Sequence, residues 1–232
     1  MKAIFSREFK SYFTSVTGYA FAAFLLLIIG IYTMSVCLVG YYANYEYVIG
    51  NSAFIFLLMV PILTMKCFAE ERKQKTDRLL YALPIGMTKI VFGKYLALLA
   101  VFAVPLVPAM IYPLILKLYG SVSYRVVCVA MIGFILLGAS LIAIGMFISS
   151  LTESQPLAAG ISFLVMLINF LSSSLATYLP VGSTLVTNLS LFDRLDNFVY
   201  GSLNITDVVF YLSTIALFVF LTIQSLEKRR WS

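Results

Sequence analysis

The stretch VVCVAMIGFILLGASLIAIGMFISS, Val126 to Ser150, decides the fold. It carries no Asp, Glu, Lys or Arg, and it exceeds the roughly 20 apolar residues that a helix needs to cross a bilayer. Five further stretches are also free of charge: Gly18 to Val39, Val48 to Met65, Tyr95 to Leu116, Leu157 to Leu179 and Val208 to Leu226. Val48 to Met65 is the shortest, and Lys66 at its end can extend its ammonium to the interface. The 232 residues are 62% hydrophobic and 11% charged, with a mean hydropathy of +1.00. A soluble domain carries about 25% charged residues. The expected fold is an all-α membrane protein of six spans, forming a single domain over residues 1–232.

The charges set the orientation. With six spans, both termini share one side. That side holds Lys2, Arg7, Lys10, Lys66, Arg72, Lys73, Lys75, Arg78, Lys89, Lys94, Lys228, Arg229 and Arg230. The other side holds Lys117, Arg125 and Arg194. Basic residues concentrate on the cytoplasmic face of membrane proteins, so both termini are expected there. The same distribution accounts for the net charge of +6 without invoking nucleic acid. The apolar run after Lys2, Arg7 and Lys10 is too long for a signal-peptide core and reads as a retained span.

Three segments have interfacial character. In Met1 to Tyr19, Phe5, Phe9 and Tyr12 or Phe13 share a helical face among Arg7, Glu8 and Lys10, which suits a helix lying in the cytoplasmic interface. The C-terminal EKRRW places Trp231 beside a basic stop. In SLFDRLDNFVYG, Leu191, Leu195, Phe198 and Val199 oppose Asp193, Arg194 and Asn197, predicting an amphipathic helix on the outer surface before the last span. A short tyrosine-rich outer loop covers Gly40 to Tyr47. Pro105, Pro108 and Pro113 crowd the third span and predict a bent helix. Gly133, Gly138, Ala139, Ala143 and Gly145 give the fourth span a small-residue surface for close helix contact.

Several chemistries are excluded. There is no histidine, so His-ligated zinc and Ser-His-Asp triads are absent. Cys37, Cys67 and Cys128 are scattered and suggest no disulfide framework. The spans lack the ionisable groups that ion-coupled transporters keep inside the membrane; Asn169 and Ser172 to Ser174 are their strongest polar features. GMTKIVFGKY, Gly86 to Tyr95, is not a P-loop: its glycines are too far apart and Tyr95 stands at the Ser/Thr position. Any uphill transport must therefore draw its energy from a partner.

The segment AEERKQKTDRLLYALPI, Ala69 to Ile85, is the largest cytoplasmic connection. Its residues favour helix, Glu71 and Lys75 form an i,i+4 pair, and Pro84 and Gly86 end it. It reads either as a solvated connecting helix or as a docking helix for a partner.

FAEERKQKTDRLLYALPI resembles the E-E-[KR]-x-x-[GK]-T-x-x-x-L-L-x-x-P-[IL] segment that follows the second span of ABC-2 type transporter permeases. REFKSYFTSVTGY resembles their N-terminal elbow helix, GMFISSLTESQPLAA (Gly145 to Ala159) their turn between spans four and five, and SLEKRRW their C-terminal end. The likeness is greatest to small six-span permeases of the gliding-motility and nitrous-oxide-reductase-maturation type. Lys75 stands where the pattern usually has Gly, and Tyr200 where a basic residue precedes Gly201. The resemblance implies a paired permease in a bacterial plasma membrane, with a homo- or heterodimeric partner permease and two copies of a separate ABC ATP-binding subunit. ATP and magnesium would be held by that subunit and no cofactor by this chain. A coupling helix, Glu70 to Ala82, would contact the ATPase through Glu70, Glu71, Arg72, Lys73, Asp77 and Arg78, with Glu153 as a further contact. Spans two and five would line the dimer interface, with Asn169, Ser172 and Ser173 on the pathway; Asn169 reads equally as a helix–helix hydrogen bond. The outer helix would gate the exit or bind an auxiliary extracytoplasmic protein. The alternative is a non-transporting anchor that recruits an ATPase or surface complex.

Overall fold

The computed structural model describes residues 2–39, 44–75, 86–118, 120, 122–172 and 189–230, and every regular element among them is helical. Helix α1 (Lys2–Thr14) is separate from the first span. That span is α2 (Val16–Thr33), continued by a π-helical turn over Met34–Val39. The second span is built in pieces: α3 (Tyr45–Ser52), a 3-10 turn at Ala53–Ile55, α4 (Phe56–Thr64) and α5 (Lys66–Lys73). Then come α6 (Met87–Ala109), α7 (Ile111–Leu116), α8 (Tyr124–Leu151), α9 (Gln155–Phe170), α10 (Leu191–Val199) and α11 (Ile205–Arg230).

Five stretches are long and apolar enough to cross a membrane: Val16–Cys37, Tyr45–Lys73, Met87–Leu116, Tyr124–Leu151 and Ile205–Arg229. The expected fifth span of the six is represented by the shorter α9; residues 173–179 of that span lie outside the described residues. The second span is longer than the sequence suggests because α5 continues it.

The proline-rich third span is interrupted. It breaks at Met110, between α6 and α7. Pro113 has no N–H to offer the carbonyl of Ala109, four residues earlier. The Tyr45 hydroxyl donates to that carbonyl instead, at 2.9 Å. A freed backbone acceptor in a lipid-facing bundle is thus satisfied by a neighbouring span.

Helix α8 is the centre of the bundle, and its small residues are why. A Cβ on Gly138 would lie 2.5 Å from the Phe102 ring, and one on Gly133 would lie 2.6 Å from Phe198. One on Gly145 would collide with Thr64 of α4. Three elements therefore close onto α8 at distances that only glycine permits. The outer surface of the bundle is apolar, with Val107, Leu164, Ile168 and Phe220 exposed. Those positions suit contact with lipid.

The polar contacts gather at the two ends. One end holds α1, α5, the start of α6 and the close of α8, and the last turns of α11 join it through Arg229, which donates to the Leu151 carbonyl. The chain's two ends therefore lie at the same end of the bundle. The opposite end holds α3, the end of α9, α10, and the starts of α8 and α11.

Candidate functional site

At the end shared by the termini, four charges meet. Lys94, on the second turn of α6, is 1% exposed. Its Nζ lies 2.9 Å from Glu71 Oε1, 3.3 Å from Glu8 Oε1 and 2.8 Å from the Cys67 carbonyl it donates to. It also lies 5.1 Å above the Phe68 ring. Arg7 binds the same two carboxylates, at 2.7 Å for Glu8 and 3.3 Å for Glu71. The hydrogen bond to Glu8 raises the pKa of Arg7 above its usual value. Two cations and two carboxylates from three elements thus form a neutral cluster. It ties the N-terminal helix and α5 to the third span.

The junction between α4 and α5 is fixed separately. Helix α5 begins inside the protein, so its first N–H groups need partners. Ser149 of α8 supplies them: its hydroxyl accepts from the N–H of Phe68 (3.1 Å) and Ala69 (3.2 Å) and donates to the Met65 carbonyl (3.2 Å). Tyr12 of α1 donates to the Leu63 carbonyl at 3.0 Å. Burial pushes its phenol well above the usual range, so it remains a donor. Lys66 donates to the Thr17 hydroxyl at 2.8 Å.

This geometry changes the expected roles of the acidic-basic block. Helix α5 ends at Lys73; residues 76–82 of the expected coupling helix lie outside the described residues. Lys75 has φ 56°. That left-handed conformation stops a helix and favours glycine. The expected Glu71–Lys75 pairing gives way to the pairing of Glu71 with Lys94 and Arg7. Glu71 and Arg72 do not lie on an exposed polar face. Arg72 is 5% exposed and reaches the Thr152 carbonyl in the turn after α8. Glu70 is half-buried and Lys73 exposed. Glu153 is exposed, 4.0 Å from Arg229. Asp77 and Arg78 lie outside the described residues.

At the opposite end, α10 forms as its pattern predicts. Ser190 caps it by accepting from the Asp193 N–H, and Gly201, with φ 77°, closes it. Leu191, Leu195, Phe198 and Val199 are all buried. Asn169 fixes the entry: its amide donates to the Leu189 carbonyl (3.2 Å) and accepts from the Leu191 N–H (2.9 Å). Ser172 donates to the Asn169 carbonyl at 2.6 Å. Asn169 is therefore a bond between the fifth-span helix and the outer helix. Asn169 and Ser172 also border a cleft of about 590 Å³ among α8, α9 and α11. Ser173 lies outside the described residues. Arg194 pairs with Asp207 at 2.6 Å, and Asn197 donates to the other oxygen of Asp207 at 2.9 Å. Tyr211 donates to the Leu191 carbonyl at 2.7 Å. Together these lock α10 to the first two turns of α11.

Sequence reasoning treated Lys94 as an ordinary flanking cation and passed over Ser149. The signal for Lys94 was its helical position: Ile90, Val91 and Leu98, at i−4, i−3 and i+4, put it on an apolar, inward face. Ser149 carried no such signal, since a hydroxyl in an apolar span usually bonds its own helix.

The family model described as ABC-2 family transporter protein matches residues 9–227. No curated protein matches the chain.

Proposed function

Because the chain belongs to the ABC-2 family of transporter proteins, we propose that it is the permease of an ATP-driven exporter, energised by ATP-binding subunits docked around α5. Family membership makes it a membrane-transport component and implies an ABC ATP-binding partner. The finer reading is ours: both termini and α5 face the cytoplasm, six spans cross the plasma membrane of a bacterium, two permease chains pair, and two ATPases bind from below.

The observation that carries this reading is the ionic cluster. A connecting helix that merely joined two spans would have no need of a buried lysine holding it to both the third span and the N-terminal helix. A helix that receives force does need such a brace. In this mechanism Glu70 and Lys73 of α5, with residues 76–85 beyond it, meet the ATPase. Glu71, through Lys94 and Arg7, passes the displacement on to α6 and α1. Ser149 passes it on to α8. Closure of the ATPase pair favours one packing of the spans over another. ATP and magnesium bind the partner, and this chain supplies no group to the hydrolytic step.

The test is affinity purification of the tagged chain in mild detergent from its own cells, followed by mass spectrometry and nucleotide hydrolysis. A stoichiometric P-loop ATPase is expected. The double charge reversal Glu70→Lys with Lys73→Glu is expected to release it while the chain stays folded and membrane-inserted. An intact, paired chain that never carries an ATPase overturns the reading.

A further inference from the structure

The outer end holds a second cleft, of about 730 Å³, between α2, α3, the end of α9 and α10. Its volume falls in the range of small-molecule sites, about 300–1,000 Å³. Asp193 and Asp196 line it from one side, one helical turn apart on α10. The rings of Tyr47, Phe54 and Phe170 from the neighbouring elements line it too, with Phe192 of α10 itself. Phe170 joins the wall together, with Phe54 at 5.6 Å and Phe192 at 5.2 Å, both edge-to-face.

Among the described residues, no Lys or Arg lines this cleft. Arg194 sits between the two aspartates in sequence but turns to the other face of α10. There it pairs with Asp207 and covers the Phe210 ring at 3.9 Å. Helix α10 thus divides its charge: the cation is spent within the protein, and the carboxylates are presented to the cleft. Among the described residues neither carboxylate has an ion-pair partner. Like charges one turn apart repel each other, and a cation between them removes that repulsion.

The walls decide which cation. Magnesium and calcium require six or more oxygen ligands, and among the described residues no group of three metal-ligating side chains exists. Aromatic faces instead attract a cation whose charge is carried on an apolar body, through the ring quadrupole. We propose that this cleft binds an organic cation with an apolar body, its charge held by Asp193 and Asp196 and its body against Phe54, Phe170 and Phe192. Its meaning as the outward-facing substrate site rests on the permease reading above; its ability to bind the cation does not.

The probe is tetraphenylphosphonium, with tetraphenylborate as the anion of matching shape. Both are offered by equilibrium dialysis to the full-length chain in phosphatidylcholine nanodiscs, without nucleotide or ATPase. Saturable binding of the phosphonium is expected, with only non-saturable partition of the borate. Asp193→Asn with Asp196→Asn keeps shape and removes charge, and is expected to weaken phosphonium binding by about tenfold or more. Phe54→Ala leaves both carboxylates in place and is expected to weaken it about threefold. That variant decides the question if the double variant does not fold. Saturable borate binding of equal strength, wild-type affinity in these variants, or no saturable phosphonium binding overturns the proposal. Copurification of the ATPase is scored separately, so an ATPase-bound permease that ignores the cation fails this proposal alone.

Discussion

Replacing Lys94 by Met tests the brace at the centre of the mechanism. The substitution keeps the length of the side chain and removes its charge. With an effective dielectric constant of about 20, an ammonium at the observed 2.9 Å and 3.3 Å gains about 6 and about 5 kcal/mol from the two carboxylates. Burying that ammonium cancels much of this gain, and removing one partner of a buried pair costs about 3–5 kcal/mol net. The cost belongs at the lower end here. Glu8 and Glu71 keep side-chain exposures of 14% and 19%, and Arg7 remains to bind both. The expected loss is about 3 kcal/mol. Glu71→Gln in the same background returns the cluster to neutrality, so the double variant should recover about 2 kcal/mol of that loss. The assay is reversible unfolding in mixed micelles titrated with dodecyl sulfate, read by circular dichroism for the wild type, both single variants and the double. A loss below about 1 kcal/mol for Lys94→Met, or strictly additive single losses, would refute the argument that these charges form one unit.

Further outcomes follow from the same contacts. Lys75→Gly should stabilise the protein by about 1 kcal/mol, because the position is already left-handed; the same unfolding titration reads it. Asn169→Leu removes two bonds at the entry of α10 and should cost about 1–3 kcal/mol, seen as faster amide exchange confined to residues 189–199. Asp207→Asn breaks the pairing with Arg194 and should loosen α10 from α11, seen as a broader distance distribution between spin labels on the exposed Tyr200 and Val209. Partial burial first, and Asp193 second, raise the pKa of Asp196 above the usual carboxylate value. Cation binding in the outer cleft should therefore be complete at neutral pH and fade as pH falls through that raised value, as dialysis over a pH series would show. The sign for stability is opposite: a carboxyl with a raised folded-state pKa contributes more as pH falls through it.

What the sequence made legible follows from how the bilayer constrains it. An apolar run of bilayer length admits a helix and little else, so the spans announced themselves. The outer amphipathic helix was equally plain, because its hydrophobic positions alternate with charges at helical spacing. Leu191, Leu195, Phe198 and Val199 are buried as that spacing requires. The interruption at Met110 lies in the proline-rich span, three residues before Pro113, whereas Pro105 and Pro108 lie inside α6. Illegible features were those that depend on which helices become neighbours. Glu71 and Arg72 lie in a dense charged block, and charge density alone predicts a solvated face. Their inward turn is set by Lys94, more than 20 residues later, and by Thr152, about 80 residues later. The break at Lys75 was not read from composition, since Glu70, Glu71, Lys73, Gln74 and Lys75 are adequate helix formers.

The two ends are mechanically related through α8. At one end Ser149 holds the start of α5; at the other, Gly133 admits Phe198 of α10. Between these contacts runs one uninterrupted helix, Tyr124–Leu151, without a proline and mostly buried. At about 1.5 Å per residue such a helix spans about 42 Å. An uninterrupted helix held in close contact at Gly133, Gly138 and Gly145 resists bending under a small load. By contrast, the third span is broken at Met110, the second contains a 3-10 turn at Ala53–Ile55 and a break at Met65, and the first ends in a π-helical turn, so these are the elements with built-in points of deformation. Under the proposed mechanism, a displacement applied at α5 would travel along α8 as a rigid movement to the floor of α10. The first three spans would take up the accompanying change in shape. The brace at Lys94 and the cleft under Asp193 and Asp196 lie at the two ends of that path.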